Sequence, residues 1–447
     1  TPMVCITGQV GKHLLGSDAF QETDIVGIST PVTKWNYQIT EASEIPEVLA
    51  KAFYIARSGR PGPVLIDITK NAQFDTFDFK YKKCTSIRSY KATPDIDKGQ
   101  LLEAAKLIND AKKPMIVFGQ GVILGEAEEE FKAFIEKTGI PSAWTILGLS
   151  ALDTKHQLNV GMIGMHGNYG PNKLTNECDL LIAIGMRFDD RVTGNLSKFA
   201  SNAKIIHLDI DAAEVGKRKP AEASLIADLH DSLPLLAHPQ TNESWLTHIK
   251  AMMVKHAWRY DYPGEKVFAP YLLNKLSQTM PSNGVVCCDV GQHQMWVAQH
   301  MKFNSPKNHL SSGGAGTMGF GLPAAVGVQV ARPDDFVITV SGDGSIMMNI
   351  QELATIRRNN LPVKILVIDN QRLGMVRQWQ QMFFEERYSE TILSDNPDFV
   401  ALAAVFGIKG QTITQASEVD DAVQALVDSK GPYILHACID EQENVWP

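Results

Sequence analysis

Residues 336–345 read FVITVSGDGS, and residues 363–370 read VKILVIDN. Both segments begin with short apolar runs that are typical of buried strands, and Asn349–Asn359 between them has the spacing of an amphipathic helix. A strand–helix–strand unit places its two strands parallel and next to each other. We therefore expect Asp343 and Asn370 to follow the carboxyl ends of adjacent strands, where open α/β sheets bind their ligands.

These two side chains predict a metal site. Asp343 and Asn370 supply a carboxylate and an amide oxygen, which suit a hard divalent cation such as Mg²⁺ that keeps positions for water and phosphate oxygens. Gly342 and Gly344 lack a Cβ, so the backbone can approach a phosphate closely. The sequence therefore predicts a magnesium-bridged phosphate site at the ends of these two strands.

The pattern of GDG, a spacer and an asparagine resembles the signature of thiamine-diphosphate enzymes. Residues 345–368 place 24 positions between Gly344 and Asp369, which fits that signature. Asp369 stands where the family usually has the first asparagine of an Asn-Asn pair. The implied Mg²⁺ ligands are the side chains of Asp343 and Asn370 and the main-chain carbonyl of Arg372.

Length and composition bound the rest of the chain. Its 447 residues are enough for about three domains, and 44% hydrophobic with 21% charged residues is ordinary for a soluble globular protein. The net charge of −8 argues against nucleic acid and anionic membranes as partners, and no apolar run is long enough to cross a bilayer. No secretory leader opens the chain, and the six cysteines show no CxxC spacing, so we predict a cytoplasmic protein with reduced thiols.

Strand-like and helix-like segments alternate in three blocks, separated by the polar stretch Tyr81–Thr93 and the proline-bearing stretch Pro234–Thr241. This alternation predicts an α/β fold of three doubly wound, mostly parallel sheets. The predicted helices outside the GDG unit are Ile45–Arg57 and a helix from Pro94 to Asn109. The predicted strands are Met3–Thr7, Val64–Ile68, Met115–Phe118, Asp179–Ile184, Lys204–Leu208, Val285–Asp289, Phe336–Ser341, Val363–Ile368 and Tyr433–Cys438.

Motifs along nearly the whole chain resemble the catalytic subunit of acetohydroxyacid synthase and keep that family's order. They are GQV (8–10), DAFQET (18–23), SGRPGPV (58–64), GMHGNYGPN (164–172), RFDDRVTG (187–194), DVGQHQMW (289–296), GTMGFGLPAA (316–325) and NQRLGMVRQWQ (370–380). The resemblance implies a carboligase that decarboxylates pyruvate on thiamine diphosphate. It joins the remaining two-carbon unit to pyruvate or 2-ketobutyrate, giving 2-acetolactate or 2-aceto-2-hydroxybutyrate for branched-chain amino acid biosynthesis.

The resemblance also implies domain roles and partners. The roles are a partial, incomplete pyrimidine-binding domain at 1–80, a central FAD-binding-like domain at 94–240 and a diphosphate- and Mg²⁺-binding domain at 265–447. The implied partners are pyruvate, 2-ketobutyrate, further copies of the chain in a homodimer or homotetramer, and a small regulatory subunit.

The third block is implied to surround thiamine diphosphate. Met318 is the apolar side chain against the bent cofactor, and Met375 lines the same cavity. The other implied cofactor contacts are Gly291, Gln292, His293, Gly316, Gly344, Ser345 and Gly374.

Arg191 resembles the family's anchor for the carboxylate of the acceptor, because a guanidinium grips a carboxylate through two parallel hydrogen bonds. The alternative for Arg191 is a structural ion pair with Asp189 or Asp190. Trp379 resembles the residue that favours 2-ketobutyrate over pyruvate, since an indole packs better against an ethyl group than against a methyl group. The remaining implied catalytic residues are Phe20 and Gln21, contributed across a dimer interface, and Lys70, whose neighbours Thr69 and Asn71 depart from the family's proline and aspartate.

The second block resembles a flavin-binding domain. Asp209 follows the predicted strand Lys204–Leu208, where a carboxylate can accept hydrogen bonds from ribose hydroxyls. The net reaction transfers no electrons to an acceptor, so we expect the FAD to be structural. The implied FAD contacts are Met165, His166, Gly185, Arg187, Asp189, Val192, Asp209, Ile210 and Asp228.

The resemblance begins late in the family's first domain and stops before its C-terminal tail. We therefore expect a fragment whose cofactor-activating glutamate lies before Thr1, and the alternative of an inactive, cofactor-binding scaffold for a regulatory subunit stays open. A pyruvate oxidase or a simple 2-keto acid decarboxylase would share the GDG unit, but RFDDRVTG together with RQWQ argues against both. A nicotinamide dehydrogenase built around GQGVILG (119–125) lacks the full glycine fingerprint.

Overall fold

The structure is a computed structural model that describes residues 1–236, 242–261 and 264–446. Within these residues the named strands form three sheets, and every pair of neighbouring strands is parallel. Most consecutive strands are connected through a helix, as is usual for parallel pairing. The predicted α/β class with mostly parallel sheets is confirmed.

The first unit is a three-stranded sheet of order β1-β3-β2. Its elements are β1 (Met3–Gln9), α1 (Ile25–Ser29), β2 (Trp35–Ile39), α2 (Ile45–Arg57), β3 (Pro63–Thr69) and α3 (Lys70–Phe74). The helix α2 has the predicted bounds, and it packs on the sheet through Val48, Ala52 and Ala56. The strand β2 was not predicted, because its WNYQI sequence is short and half polar.

The middle unit is a six-stranded sheet of order β6-β5-β4-β7-β8-β9. Its strands are β4 (Pro114–Phe118), β5 (Ser142–Trp144), β6 (Asn159–Met162), β7 (Leu180–Ile184), β8 (Lys204–Asp209) and β9 (Ala223–Ile226). Its helices are α4 (Lys98–Asp110), α5 (Gln120–Leu124), α6 (Glu128–Thr138), α7 (Tyr169–Glu177), α8 (Asp190–Thr193) and α9 (Leu229–Leu236). This is the strand order of doubly wound dinucleotide-binding sheets, and the direction of winding reverses between β4 and β7.

Two predicted boundaries of the middle unit were wrong. The helix α4 begins at Lys98 rather than at Pro94, because the Asp97 carboxylate accepts hydrogen bonds from the N–H groups of Gly99 and Gln100 and caps the helix there. Pro234, predicted to lie in a connector, is inside α9. Residues 235 and 236 of that predicted connector are also in α9, and its remaining residues, 237–241, lie outside the described residues.

The helix α10 (Glu243–Lys255) packs on the middle unit. The buried side chains of Trp245 and Ile249 belong to the same apolar cluster as Met115 of β4, and the indole N–H of Trp245 donates to the carbonyl of Pro114 at 3.0 Å. The packing of the middle sheet therefore includes a helix that follows the predicted block.

The third unit is a six-stranded sheet of order β11-β10-β12-β13-β15-β14. Its strands are β10 (Val285–Cys288), β11 (His309–Ser311), β12 (Val337–Gly342), β13 (Lys364–Asp369), β14 (Lys409–Ile413) and β15 (Tyr433–Cys438). Its helices are α11 (Ala269–Thr279), α12 (Gln292–His300), α13 (Gly321–Ala331), α14 (Asp343–Ile346), α15 (Glu352–Asn359), α16 (Gly374–Phe383), α17 (Phe399–Val405) and α18 (Val419–Asp428). Every residue of β12 and β13 is buried, which explains their continuous apolar runs.

The middle unit contacts both of the other units. Trp144 of the middle unit and Trp296 of the third unit belong to one buried apolar cluster. The Arg60 guanidinium of the first unit lies 2.9 Å from carboxylate oxygens of both Asp211 and Glu214. No helix among the described residues is long and apolar enough to cross a membrane.

Candidate active site

The ends of β12 and β13 bring the two predicted metal ligands side by side. The strands pair in register with Gly342 opposite Ile368, so Asp343 and Asn370 follow neighbouring strand ends. Both side chains are buried, with 2% and 6% of their residue surfaces exposed. The predicted adjacency of the two strands is confirmed, while the role of the two side chains stays a prediction.

The surroundings of Asp343 fit a cation. Burial, followed by the negative charge of Asp369, raises the pKa of Asp343 to about 7, because a buried carboxylate without a counter-charge is costly. Its Oδ2 accepts a hydrogen bond of 2.8 Å from the side chain of Asn396, a residue that sequence reasoning missed. A divalent cation beside Asp343 would restore the ionised form.

Asn370 is held in one orientation by its neighbours. Its Nδ2 donates to Oε1 of Gln292 at 2.9 Å, and its Oδ1 accepts from the backbone N–H of Arg372 at 3.1 Å. A Cβ at Gly374 would lie only 2.0 Å from Oε1 of Gln292, so the glycine leaves room for this pair. Gln371 has a φ of +53° in the turn that leads from the end of β13 to Arg372.

The segment after β10 forms a cradle suited to a diphosphate. The His293 imidazole lies between two glycines, since a Cβ at Gly291 or at Gly342 would approach it within 2.8 Å. Burial lowers the pKa of His293 to about 3, so the ring is neutral, and its Nε2 has no hydrogen-bond partner within the described ranges. A buried nitrogen without a partner fits a missing ligand, such as a phosphate oxygen. The Ser345 hydroxyl donates to the Val290 carbonyl at 2.7 Å and ties α14 to the same segment.

Asp289, directly after β10, holds the backbone around Gly319 and Gly321 in place. Its role was not predicted from the sequence. Its buried carboxylate accepts from the N–H groups of Gly319 and Gly321, at 2.9 and 3.1 Å, and from the Ser341 hydroxyl at 3.1 Å. A Cβ at Gly344 would lie 3.7 Å from the methyl group of Met318, so the predicted apolar wedge reaches the GDG turn. Asp289 could have been found from its position in the DVGQHQMW motif. Asn396 lies in none of the motifs, so nothing in the sequence indicated its contact with Asp343.

The structure also gives the conformation of Gly316 and the packing of Met375, two further residues predicted to contact the cofactor. Gly316 has a φ of +66°, a conformation that favours glycine. Met375, on the first turn of α16, is partly buried against the shared apolar cluster. Their roles as cavity-lining residues stay predictions.

Arg191 and Trp379 meet where the middle and third units face each other. The Arg191 guanidinium lies 4.9 Å from the centre of the Trp379 ring, a distance for a cation–π contact. Burial, followed by the charge of Arg191, lowers the pKa of His166 to about 4, which keeps that imidazole neutral. The backbone carbonyl of Arg191 accepts from the N–H of Met165 at 2.7 Å.

The alternative role of Arg191, a structural ion pair, has only a weak basis in the structure. Its guanidinium lies 3.5 Å from a carboxylate oxygen of Asp190, and both side chains are more than half exposed, so this pair contributes little. Asp189 instead caps α8 by accepting from the backbone N–H groups of Arg191 and Val192. This weak pair leaves N–H groups of the Arg191 guanidinium available for an anion, while Trp379 covers one face of the group.

Phe20, Gln21 and Lys70 lie on the surface of the first unit. Phe20 is 89% exposed, and Lys70 has its ammonium 6.0 Å from the Phe74 ring. In the part of the chain that the structure describes, no hydrogen bond or ion pair joins them to Asp343 or Arg191. The single chain does not bring them to the site, and their contribution across a dimer interface stays a prediction.

The middle sheet has a glycine cradle at the point where its winding reverses. A Cβ at Gly119 would lie 2.6 Å from the carbonyl oxygen of Gly185, and a Cβ at Gly121 would lie 2.5 Å from the Gly185 Cα. Gly185 has a φ of +55°. Glycines packed this closely beside a helix start are a feature of dinucleotide-binding turns, where one glycine allows close packing and another lets the backbone approach the diphosphate.

The other predicted flavin contacts surround this edge of the sheet. Asp209 ends β8, and burial raises the pKa of its carboxylate. Asp228 accepts from the N–H of His230 at 3.0 Å at the start of α9, so it has a capping role as well. Arg187 is exposed, Val192 is buried, and Ile210 is half-buried after β8.

Comparison with known proteins agrees with this division into units. Residues 289–437 match the family described as thiamine pyrophosphate enzyme, C-terminal TPP binding domain, and residues 101–236 match the thiamine pyrophosphate enzyme central domain. The chain is 49% identical to the acetolactate synthase isozyme 2 large subunit of Escherichia coli, over 100% of this chain and 81% of that protein. It is 43% identical to the acetolactate synthase large subunit of Corynebacterium glutamicum and 40% identical to the chloroplastic acetolactate synthase 1 of Nicotiana tabacum. These alignments cover all of this chain and 74% and 69% of the two relatives.

Proposed function

We propose a reaction and a set of site residues from one premise: this chain belongs to the acetolactate synthase large-subunit family. It is an acetohydroxyacid synthase, a thiamine-diphosphate-dependent carboligase that uses pyruvate. Its cofactors are thiamine diphosphate, Mg²⁺ and FAD, as is typical of this family. The products that we propose are 2-acetolactate from two pyruvates and 2-aceto-2-hydroxybutyrate from pyruvate and 2-ketobutyrate.

Thiamine diphosphate, when bound, supplies the electron sink that lets pyruvate lose CO₂ and leaves a nucleophilic two-carbon unit. The chain's own residues bind the cofactor and its metal ion and orient them. We propose that Asp343, Asn370 and the Arg372 carbonyl hold the Mg²⁺, and that the His293 ring, with its unpartnered Nε2, lies beside a phosphate group of the cofactor. Gln292 acts through Asn370, because its Oε1 fixes the orientation of that amide.

Arg191 and Trp379 are proposed to select and place the acceptor. The guanidinium binds the acceptor carboxylate through two parallel hydrogen bonds, while the indole both packs under Arg191 and offers an apolar face to the acceptor's alkyl group. An ethyl group gains about 1–3 kcal/mol over a methyl group on such a face. The neutral His166 beside them adds no competing charge.

The middle unit is proposed to hold FAD in a structural role. The cradle of Gly119, Gly121 and Gly185 would receive the diphosphate, and Asp209 would accept from ribose hydroxyls. We also propose the domain limits 1–80, 94–240 and 265–447, with α10 packed on the middle domain.

The assembly and location are proposals as well. We propose a homodimer or homotetramer in which Phe20, Gln21 and Lys70 complete the site of a neighbouring copy, together with a small regulatory subunit. The 89% exposure of Phe20 supports a partner at that surface. We propose a cytoplasmic location, although the tobacco relative is described as chloroplastic.

The contact between Arg191 and Trp379 carries the acceptor assignment, because it joins an anion-binding group to a large apolar surface beside the proposed cofactor site. The test is product analysis with pyruvate, alone and with 2-ketobutyrate, while thiamine diphosphate, Mg²⁺ and FAD are omitted in turn. We expect acetolactate only when the first two are present, and a flavin that stays oxidised throughout turnover. Acetate or acetaldehyde as the main product would instead indicate an oxidase or a decarboxylase.

A further inference from the structure

Three potential metal ligands converge at the ends of β13 and β15, next to the proposed Mg²⁺ site but separate from its ligands. The two strands pair with Asp369 opposite Cys438, and His436 lies two residues before Cys438, so the three side chains share one face of the sheet. His436 Nε2 is 2.9 Å from Asp369 Oδ2 and 3.7 Å from Cys438 Sγ. All three donor atoms lie within 4.8 Å of one another.

The neighbours of this cluster orient its donor atoms. Thr412 of β14 pairs with His436 in the sheet, and its hydroxyl lies 3.2 Å from His436 Nδ1, which leaves Nε2 as the ring nitrogen facing the cluster. Asp369 Oδ1 accepts from the backbone N–H of Gln371 at 2.8 Å, which leaves Oδ2 toward the histidine. Such outer hydrogen bonds are characteristic of protein metal sites, where they fix the ring and carboxylate orientation.

The cluster is reachable from solvent. Asp369 and Cys438 line a cavity of about 330 Å³ that is also bounded by Lys266 and Glu441. His436 and Asp369 are nearly covered, with side-chain exposures of 9% and 5%, while Cys438 is half-buried at the cavity. A metal ion can therefore enter past Cys438 and keep a water molecule on the open side.

We propose that Asp369, His436 and Cys438 form a binding site for Zn²⁺ or a similar borderline-soft divalent ion, with water as the fourth ligand. One thiolate, one imidazole and one carboxylate are a ligand set that Zn²⁺ accepts and Mg²⁺ does not. Zinc bonds of about 2.0–2.3 Å place tetrahedral ligands roughly 3.2–3.8 Å apart, close to the distances of His436 Nε2 from Asp369 Oδ2 and from Cys438 Sγ. Binding forms one bond to each donor atom, and the protons on Nε2 and Sγ pass to water.

This site touches the proposed Mg²⁺ site through the side chain of Asn396 and through a direct contact between the carboxyl groups of Asp369 and Asp343. Asn396 Nδ2 donates to Asp343 Oδ2 at 2.8 Å and lies 3.5 Å from Asp369 Oδ1. Asp369 is also the residue directly before Asn370. A zinc ion that draws Asp369 toward His436 and Cys438 therefore disturbs both proposed Mg²⁺ ligands, and we infer that zinc weakens Mg²⁺-dependent cofactor binding.

The direct test uses Co²⁺ as a spectroscopic substitute for Zn²⁺, on the full chain saturated with Mg²⁺ and thiamine diphosphate. We expect one tightly bound Co²⁺ per chain with a thiolate-to-cobalt charge-transfer band, displaced by Zn²⁺. Absence of that band on the folded wild-type protein would overturn the proposal without any substitution.

Variants then assign the ligands. Cys438→Ser should abolish the charge-transfer band, and Thr412→Val should weaken Zn²⁺ binding about tenfold, as loss of an outer hydrogen bond to a ligand histidine does. Cys84→Ser, in the stretch between the first two units, is the matched control and should change neither. A band that survives in Cys438→Ser or disappears in Cys84→Ser would contradict the assignment.

The link to the cofactor site has its own readout. Zn²⁺ should raise the Mg²⁺ concentration needed for half-maximal thiamine diphosphate binding in the wild-type chain and leave it unchanged in Cys438→Ser. An equal shift in both proteins would mean that zinc acts at the Mg²⁺ ligands themselves. Because the cobalt spectrum needs no turnover, failure of this proposal and failure of the proposed reaction are distinguishable.

Discussion

The middle and third sheets are built alike but present different chemistry at the same place. Both have six parallel strands, and in both the polar or glycine-rich residues follow strands near a reversal of winding. The third sheet places the oxygen donors Asp343 and Asn370 there, whereas the middle sheet places the glycines Gly119, Gly121 and Gly185 there.

The difference shows how one fold rule serves two kinds of ligand. Buried oxygen donors suit a cation that bridges phosphates, while bare backbone suits a dinucleotide that lies against the sheet edge. We therefore expect a substitution in one sheet to reduce binding of that sheet's ligand and to leave the other ligand bound. The following predictions test this independence, from the largest expected effect to the smallest.

Replacing the carboxylate of the third sheet should have the largest effect. Asp343→Ala should weaken Mg²⁺-dependent thiamine diphosphate binding at least about a hundredfold, or about 2.7 kcal/mol, because the charged ligand is lost. Titration calorimetry measures the binding, and flavin content should stay unchanged. Asp428→Ala, at an exposed position of the same unit, is the control for the charge change, and retained tight binding in Asp343→Ala would remove the metal assignment.

Adding a methyl group to the cradle of the middle sheet should produce the opposite pattern. Gly185→Ala places a Cβ only 2.7 Å from the Cα of Gly121. It also puts an alanine at a φ of +55°. We expect bound flavin to fall below about a tenth of the wild-type content and the free energy of unfolding to fall by about 1–3 kcal/mol. Absorbance of the purified protein and chemical denaturation measure these.

Gly16→Ala separates backbone strain from the lost cradle. Gly16 also has a positive φ, +80°, but nothing lies within 4 Å of its Cβ position. This variant should lose only about 1–2 kcal/mol of stability and keep its flavin. Equal flavin loss in both variants would break the comparison between the sheets.

The contact between the two units is tested by Arg191→Lys. A lysine cannot form the two parallel hydrogen bonds, so we expect acceptor use to fall about twentyfold, or about 1.8 kcal/mol, with a smaller effect on the first decarboxylation. Rates of CO₂ release and of acetolactate formation, measured together, check this. Arg358→Lys on the surface of α15 should change neither rate, and equal loss of both steps in Arg191→Lys would contradict an acceptor role.

Trp379→Leu should change selectivity more than rate. The smaller side chain gives up apolar contact with an ethyl group, so the preference for 2-ketobutyrate over pyruvate should fall about tenfold. Competition between the two acceptors measures the ratio. Phe384→Leu, half-exposed just after α16, is the control, and an unchanged ratio in Trp379→Leu would reject the selector role.

The smallest effect concerns the outer strand β11, where pH rather than a ligand is the variable. Burial lowers the pKa of His309 to about 4, below its ordinary value near 6.5. The unfolded chain therefore binds more protons between these values, and stability falls as the pH drops from about 6.5 to 4. His309→Gln should reduce that loss by about 1 kcal/mol at pH 5.5, measured by denaturation at several pH values, and an unchanged slope would show that His309 is not responsible.

Several strands of the third sheet could be predicted because they are largely buried on both sides. The bounds of β15 were predicted to the residue, and those of β12 and β13 within one residue, since each is a short apolar run ended by polar residues. Errors arose where a side chain sets the boundary, as at Asp97, or where a proline is accommodated inside a helix, as at Pro234. These depend on local hydrogen bonds that periodicity does not register.

The GxG at Gly119–Gly121 is a motif whose role could not be predicted from the sequence alone. By itself a GxG after a strand is weak evidence for a nucleotide site. The structure places it against Gly185, which is remote in sequence, and only that approach makes it a cradle.

The amino-acid sequence by itself determined the class of the fold, the family and the adjacency of Asp343 and Asn370, because strand–helix–strand connections and a motif with fixed spacing are local properties of the chain. The tertiary structure alone decided that Arg191 stacks on Trp379, that Asn396 reaches Asp343, and that Asp369, His436 and Cys438 converge. Contacts between distant segments depend on strand order and on packing between units, and neither is encoded in the spacing of residues along one segment.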